Sequence, residues 1–223
     1  MTASSRFAPN ETLAAHLLPV ISTAPGDGSH DLSHLLRVWK NVQHLMAREG
    51  GDAAILTAAT LLHDCVDVPK HSPQRSRASR LAGQKAAQVL EGIGWVRAEI
   101  ERVVHTIEAH SFSAGIPPET LEAKILQDAD RLDAIGHIGI VRCFYVSGRM
   151  GGSLYDPDDA EAVNRPLEDS RFAVDHFKTK LLKLSGMFQT DTGQRPANER
   201  HKVTADFLEG LLDEVSPERN LCL

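Results

Sequence analysis

Apolar residues recur three or four positions apart along almost the whole chain of 223 residues. This spacing places them on one face of an α-helix, and no segment alternates between apolar and polar residues as a half-buried β-strand does. No repeat of fixed period is present either. We therefore predict an all-α fold, and the length fits a single globular domain with one sizeable core.

The composition, with 42% hydrophobic and 24% charged residues, is that of an ordinary soluble globular protein. The longest apolar runs are too short for a membrane span, and the N-terminal residues lack the pattern of a secretory signal. We therefore expect a cytoplasmic protein that does not bind membranes. The formal net charge of −6 gives no basic surface for duplex nucleic acid, so an anionic ligand needs a local basic cluster.

The three cysteines, Cys65, Cys143 and Cys222, are far apart in the sequence and form no CxxC pair. This spacing fits neither a disulfide framework nor a zinc ribbon, and we expect three reduced thiols that serve in packing. Histidine is unusually common, with 11 residues against two tyrosines. Because histidine is the commonest metal ligand, this composition favours a search for a metal site.

Capping and breaking residues divide the chain into helices. We predict a first helix from the Asn10 cap to Pro19, and a second from the Asp31 cap to the glycines at 50 and 51. A third, over about 52–64, is rich in Ala and Leu, as a central buried helix is. Further helices are predicted over about 80–92, 95–110, 167–185 and 195–215, and one from the prolines of "IPPET" through Asp133, with Gly136 and Gly139 allowing close packing.

Four residues could form a metal site at the ends of these helices: His34, the pair His63-Asp64, and Asp130. The third helix delivers His63 and Asp64 directly behind an apolar run, where a carboxylate is costly unless it is paired or bound to a cation. Two imidazoles and two carboxylates suit Mn, Fe, Co, Ni or Zn better than calcium. Such a set leaves coordination positions open for water and substrate, as a hydrolytic site requires.

Spacing alone leaves alternatives open at each position. His34 also fits a partly exposed residue in the first helical turn, and His30 competes with it as a ligand. Asp130 lies in "LQDADRLDAIG", where Asp128 and Asp133 compete with it inside a segment that otherwise reads as buried. Asp130 and Asp133 are one turn apart and share a side of the helix, so Asp133 is also a candidate for orienting a ligand or Arg131.

The order of these residues resembles the HD-domain superfamily of metal-dependent phosphohydrolases. The resemblance is carried by "HDLSHLLRVWKNV", "LLHDCVD" and "AKILQDADRLDAIGHIGIVR". It extends through "SPQRSRAS", "HTIEAHSFSAGIPPETLEAKI" and "RPLEDSRFAVDHFKTKLLKL", which are similar to a bacterial subfamily of small stand-alone HD hydrolases, so it covers roughly residues 30–212. It implies one HD-type domain over residues 1–223, with an HD core at about 30–150 and C-terminal helices at about 159–215.

The resemblance implies His34, His63, Asp64 and Asp130 as ligands of one divalent metal ion, which would be Mn, Mg, Fe, Co, Ni or Zn. It also implies hydrolysis of a phosphoester or phosphoanhydride bond in a nucleotide or similar small phosphorylated metabolite, by metal-activated water. Asp67 follows Asp64 by about one helical turn and matches the acid that orients or deprotonates this water in several relatives, many of which have Glu. An aspartate in solvent after the helix is the alternative for Asp67.

Basic residues near these positions are candidates for binding the phosphate. Arg37 follows His34 by three positions, and Lys70, Arg75 and Arg77 lie in the loop after the ligand pair. A guanidinium matches two phosphate oxygens at once, although a run of charge is often only a solvated surface. The substrate-binding set that we predict also contains His110 and the more ambiguous lysine of "KTKLLKL", and it reads in full: Arg37, Lys70, Arg75, Arg77, His110 and Lys180.

His105 and His110 raise the question of a second metal, because some HD proteins bind one through extra histidines. Five positions turn a helix by about 140°, which is poor for binding one ion through both side chains. We expect His110 to line the substrate pocket and His105 to be packed or to support a ligand. A metal-containing module that senses nucleotides without hydrolysing them, and a di-iron oxygenase, are the alternative functions, and a homodimer is possible.

Overall fold

The computed structural model describes residues 2–21, 31–68, 72 and 74–216. These residues form helices and turns, with one isolated bridge between Ser153 and Phe172 in place of any longer strand pairing. The all-α prediction is confirmed. In the described segments the α-helices are α1 (Glu11–Leu17), α2 (Leu32–Glu49), α3 (Ala53–Leu62), α4 (Ala78–Gly92), α5 (Arg97–His110), α6 (Leu121–Asp133), α7 (Gly136–Arg149), α8 (Ala173–Thr179) and α9 (Asp191–Val215).

The chain divides into two compact units, residues 1–130 and 131–223. Each unit has its own cluster of buried apolar side chains. The boundaries drawn from the resemblance, a core at about 30–150 and C-terminal helices at about 159–215, stay a prediction.

In the first unit, α3 is the central helix, as its composition predicts. All residues from Ile55 to Leu62 are buried, and α1, α2, α4 and α5 pack against this helix. Asp52 caps its N-terminus because the carboxylate accepts hydrogen bonds from the backbone N–H groups of Ala54 and Ile55, at 2.9 and 3.2 Å. A helix fixed along its whole length in this way gives the residues after Leu62 a defined position.

The predicted end of α3 and the start of α6 need correction. α3 ends at Leu62, so His63 and Asp64 lie in the turn that follows and not in the helix. The helix expected to start at the prolines of "IPPET" begins only at Leu121. Proline lacks the N–H that a helix interior requires, and here both prolines stay in the non-helical segment before the first turn.

In the second unit, α6 ends at Asp133, and Gly136 allows the close packing that the sequence predicts. Gly136 has φ of +73°, a conformation that favours glycine, and an added Cβ would meet Arg200 Cγ at 3.0 Å. Arg200 itself donates to the carbonyl oxygen of Leu132. Glycine is therefore required at this turn for its backbone and for the close approach of Arg200.

The C-terminal helices also differ from the prediction in their bounds. The helix expected at about 167–185 is the short α8, followed by a 3-10 turn over Leu181–Met187. α9 begins four positions before the expected start, because the hydroxyl of Thr190 accepts a hydrogen bond from the N–H of Gly193 at 3.1 Å. None of the described helices has the length and apolar character needed to cross a membrane.

Candidate metal centre

His34 lies in the first turn of α2, where the cap of the helix fixes its backbone. The Asp31 carboxylate accepts hydrogen bonds from the His34 N–H at 3.1 Å and from the Ser33 hydroxyl at 2.6 Å. The His34 side chain is fully buried. The partly exposed alternative for His34 is therefore wrong, whereas the competing His30 lies outside the described residues.

His63 and Asp64 occupy the turn at the C-terminus of α3. The last carbonyl groups of a helix have no partner within the helix. His63 uses one of them: its Nδ1 lies 2.8 Å from the carbonyl oxygen of Thr60. Since a carbonyl can only accept, Nδ1 carries the proton and Nε2 presents its lone pair to the opposite side of the ring.

Asp130 is the acid of α6 that faces these histidines. Its Oδ1 lies 3.8 Å from His34 Nε2. The two competing acids are both buried, and one of them, Asp133, forms an ion pair with Arg142 at 2.7 Å in the second unit. The role expected for Asp133 in orienting Arg131 stays a prediction.

The four side chains lie close together in the first unit. His34 Nε2 and His63 Nε2 are 3.3 Å apart, and Asp64 Oδ2 lies 3.8 and 3.5 Å from them. Ligand atoms that each lie about 2.0–2.2 Å from one ion are at most about 4.4 Å apart. The separations of His34 from His63, Asp64 and Asp130, and of His63 from Asp64, fall within this limit. Among the described residues, His34, His63 and Asp130 form one group able to hold a metal ion, and His63, Asp64 and His110 form another.

The electrostatics of the cluster also fit a cation. Burial alone would raise the pKa of the Asp130 carboxyl, but the imidazoles of His34, His63 and His110 outweigh it and the pKa of Asp130 lies below its ordinary value. Burial lowers the pKa of His110, and the neighbouring His63 adds to this effect. The ionised carboxylate is the form in which Asp130 can bind a divalent metal.

Comparison with known proteins agrees with the geometry. The model of the HD domain matches residues 31–135 of this chain. An uncharacterized protein of Bacillus subtilis, YpgQ, is 34% identical over 190 residues, which cover 83% of this chain and 84% of YpgQ. The chain belongs to the HD-domain superfamily.

Solved HD-type structures extend the match to nearly the whole chain. A Lactobacillus plantarum protein superposes with a TM-score of 0.73 at 29% identity, over 96% of this chain and 98% of its own. An HD-superfamily hydrolase of Bacillus thuringiensis superposes with a TM-score of 0.64 at 31% identity, over 96% of this chain and 98% of its own. YpgQ, solved in complex with ADP, superposes with a TM-score of 0.69 at 30% identity, over 97% of this chain and 98% of its own. Together with the His and Asp cluster, these matches support a metal-dependent HD hydrolase.

His110 lies closer to the HD cluster than we expected for a residue of the substrate pocket. It ends α5 and is 7% exposed, and its ring meets that of His63 edge to face, with 4.9 Å between the ring centroids. Its Nε2 is 3.9 Å from Asp64 Oδ1. Sequence spacing missed this proximity, although one signal was available: like His63, His110 stands at a helix end where carbonyl groups are free to accept from a ring nitrogen.

The structure does not support the helical spacing on which the catalytic role of Asp67 was predicted. α3 ends at Leu62, so Asp67 is not one helical turn beyond Asp64, and its side chain is exposed. The periodicity argument for Asp67 is therefore wrong. Its role as the acid that positions water in this HD protein stays a prediction.

Two of the predicted phosphate-binding arginines lie beside the segment that follows His110. Arg75 and Arg77 form a 3-10 turn that packs against the turn Phe112–Ala114. Arg75 also donates to the carbonyl oxygen of Val68 at 3.1 Å, which ties this turn to the segment after the His63-Asp64 pair. The turn of Arg75 and Arg77 thus contacts the segment that follows His110 and the segment that follows the His63-Asp64 pair.

For the other predicted substrate-binding residues, the structure gives fewer contacts near the cluster. Arg37 donates to the Ser33 hydroxyl at 2.9 Å, at the start of the helix that carries His34. Lys70 lies outside the described residues, and Lys180 follows α8 in the second unit. Their contacts with a substrate stay predictions.

His105 has a structural partner away from the cluster. Its Nε2 accepts a hydrogen bond from the backbone N–H of Glu119 at 3.0 Å, which fastens α5 to the segment leading into α6. This bond occupies the nitrogen that a second metal would need. The expectation that His105 is packed or supports a ligand stays a prediction.

Proposed function

We propose that this protein is a metal-dependent phosphohydrolase that cleaves a phosphoester or phosphoanhydride bond of a nucleotide or similar small phosphorylated metabolite. The observation that carries the proposal is the close approach of His63, Asp64 and Asp130 to His34, whose Nε2 lies 3.3–3.8 Å from a ligand atom of each. In the proposed site these four residues hold one divalent ion.

The donor set favours this chemistry for two reasons. It fits a first-row divalent metal, and it leaves coordination positions open. When bound, the ion supplies a water of lowered pKa and polarises a phosphoryl oxygen. The residues of the chain hold the geometry: the Thr60 carbonyl fixes the tautomer of His63, and the buried α3 fixes the position of the pair.

The substrate side of the proposal rests on charge. The site carries two acidic ligands, so a phosphate needs compensating cations as its charge shifts towards the transition state. Arg75 and Arg77 are the described cations whose turn packs against the segment after His110. The complex of the relative YpgQ with ADP supports a nucleotide as the class of ligand. Phosphoryl transfer depends mostly on positioning and electrostatics, which such a site provides.

Turnover by metal-stripped protein tests the proposal. The protein is supplied in turn with Mn, Mg, Co, Ni or Zn and assayed on a panel of nucleoside mono-, di- and triphosphates and sugar phosphates. We expect hydrolysis that requires metal, disappears in Asp64→Ala and persists in Glu99→Ala, an exposed acid on α5 that serves as the matched control.

Two results would contradict the enzyme assignment. Hydrolysis that survives in Asp64→Ala would show a contaminating activity. Nucleotide binding with no hydrolysis under any metal would favour the sensing module. Elemental analysis separates the oxygenase alternative, because a di-iron centre requires two metals per chain and the proposed site holds one.

A further inference from the structure

We propose that His110 is a fifth protein ligand of the metal centre and binds the ion through Nε2. The inference rests on the metal site of the proposed function but not on the reaction or the substrate. It replaces the substrate-pocket role that the sequence predicts for this residue.

The ring of His110 has a fixed orientation. Its Nδ1 is 2.5 Å from the carbonyl oxygen of Ile107, one of the carbonyl groups that the end of α5 leaves without a helical partner. The carbonyl can only accept a hydrogen bond, so Nδ1 carries the proton. The lone pair of the neutral ring is therefore on Nε2, the atom that faces the cluster.

The carboxylate oxygen that faces Nε2 of His110 cannot donate a hydrogen bond to this lone pair. Nε2 of His110 lies 3.9 Å from Asp64 Oδ1, and both atoms are hydrogen-bond acceptors. In the described part of the chain, no N–H or O–H group donates to Nε2 of His110. A divalent cation between the two atoms would bind the lone pairs of both, and neutral imidazole and carboxylate are common ligands of such ions.

The two oxygens of the Asp64 carboxylate face different histidines. Its Oδ2 faces His34 and His63 at 3.8 and 3.5 Å, whereas its Oδ1 faces His110. Suitable ligand atoms of His63, Asp64 and His110 all lie within 4.8 Å of one another. Asp64 thus faces His34 and His63 with one oxygen and His110 with the other.

The shared His63 indicates one ion and not two. The Nδ1 proton of His63 is bound to the Thr60 carbonyl, so this ring has one lone pair to give, on Nε2. A single lone pair binds a single ion. The ion that His63 binds is consequently the one that His110 reaches, and the centre has three imidazoles and two carboxylates.

A metal-binding titration tests this assignment without a substrate. Metal-stripped wild type, His110→Ala and His110→Gln are titrated with Mn²⁺ by calorimetry, and imidazole nitrogens coupled to bound Mn²⁺ are counted by pulsed EPR. Loss of a residue that only supports a metal ligand typically weakens metal affinity about 10–100-fold, so loss of a direct ligand should cost at least as much. We expect at least a tenfold loss of affinity for both variants and one coupled nitrogen fewer than in the wild type.

His105→Ala is the matched control, because it removes a histidine of the same helix that bonds to Glu119 N and not to the cluster. It should retain the wild-type affinity and nitrogen count. Thermal melting of the metal-free variants shows whether they fold, and His110→Gln covers the case in which His110→Ala does not.

The outcomes separate the two proposals. An affinity within twofold of wild type and an unchanged nitrogen count in a folded His110 variant would overturn the role of His110. A stoichiometry of two ions, with one lost in the variant, would overturn the single shared ion. Failure of wild type to bind any divalent metal would overturn both proposals, whereas metal binding without hydrolysis of any substrate would contradict only the proposed function.

Discussion

His63 and His110 are oriented by the same device at the ends of two different helices. Each ring donates from Nδ1 to the carbonyl oxygen three residues earlier, Thr60 at 2.8 Å and Ile107 at 2.5 Å. The two rings then meet edge to face, with 4.9 Å between their centroids. Unused helix carbonyls thus select the tautomer of both histidines, and both Nε2 atoms face the cluster.

Metal should stabilise the protein against unfolding. A ligand that binds only the native state at about 100 times its Kd adds about 2.7 kcal/mol to the free energy of unfolding. We expect Mn²⁺ to raise the Tm of metal-stripped wild type and to leave the Tm of Asp130→Ala nearly unchanged. Differential scanning calorimetry with Glu99→Ala as the exposed control measures both. An equal rise in Asp130→Ala would mean that the ion binds elsewhere.

The sequence predicts the scaffold of this site better than its details. The caps Asp31 and Asp52 and the apolar composition of α3 mark the helices correctly, because capping and periodicity are local properties. The proximity of His110 to Asp64 depends on how α5 packs against α3, and spacing along the chain does not encode it. Asp67 shows the opposite failure, since its argument assumed a helix that ends five positions earlier.

Removing the cap of α2 should loosen His34. Asp31→Ala deletes the acceptor for the His34 N–H, and loss of such a cap costs about 0.5–2 kcal/mol in the free energy of unfolding. Urea denaturation measures this loss, and Mn²⁺ titration should show weaker binding in the same variant. Asp31→Asn is the control, because asparagine caps as well as aspartate. Equal losses in both variants would assign the effect to charge and not to the cap.

The Asp31 carboxylate should also make the stability of the protein depend on pH. Burial alone would raise the pKa of Asp31, but hydrogen bonds from Ser33 and His34 N–H outweigh it and hold the pKa below its ordinary value. The ionised form is therefore favoured in the folded state, and its contribution to stability is present above the unfolded pKa and lost as pH falls through the folded pKa. The difference in unfolding free energy between wild type and Asp31→Ala should shrink on acidification below about pH 4. Urea titrations at pH 7 and at lower pH measure it, and a constant difference would contradict the prediction.

Truncation of Leu61 should damage the core and the site together. Leu61 is fully buried in α3, two positions before His63, and Leu→Ala at a buried position costs about 2–5 kcal/mol. Urea denaturation of metal-free Leu61→Ala measures this cost. Because the turn that carries the proposed ligands His63 and Asp64 follows this helix directly, we also expect weaker Mn²⁺ binding below the melting transition. The exposed Val96→Ala, just before α5, is the control and should change neither quantity. A large loss of stability with unchanged metal affinity would show that the site does not depend on the packing of α3.

Cys65 should be inert although it adjoins the proposed metal ligands His63 and Asp64. Burial, together with the nearby Asp64 carboxylate, raises the pKa of its thiol to about 11 against the opposing effect of Lys85. At pH 8, on the order of one Cys65 side chain in a thousand is then in the thiolate form. The thiolate is the nucleophile that reacts with alkylating reagents. In a Cys222→Ser background, iodoacetamide should therefore leave Cys65 unlabelled in the native protein and label it in urea, as read by peptide mass spectrometry. Cys143, which is only half-buried, provides the internal comparison. Native labelling of Cys65 as fast as that of Cys143 would mean that the turn after α3 opens readily, and the rigid position of His63 and Asp64 would then be wrong.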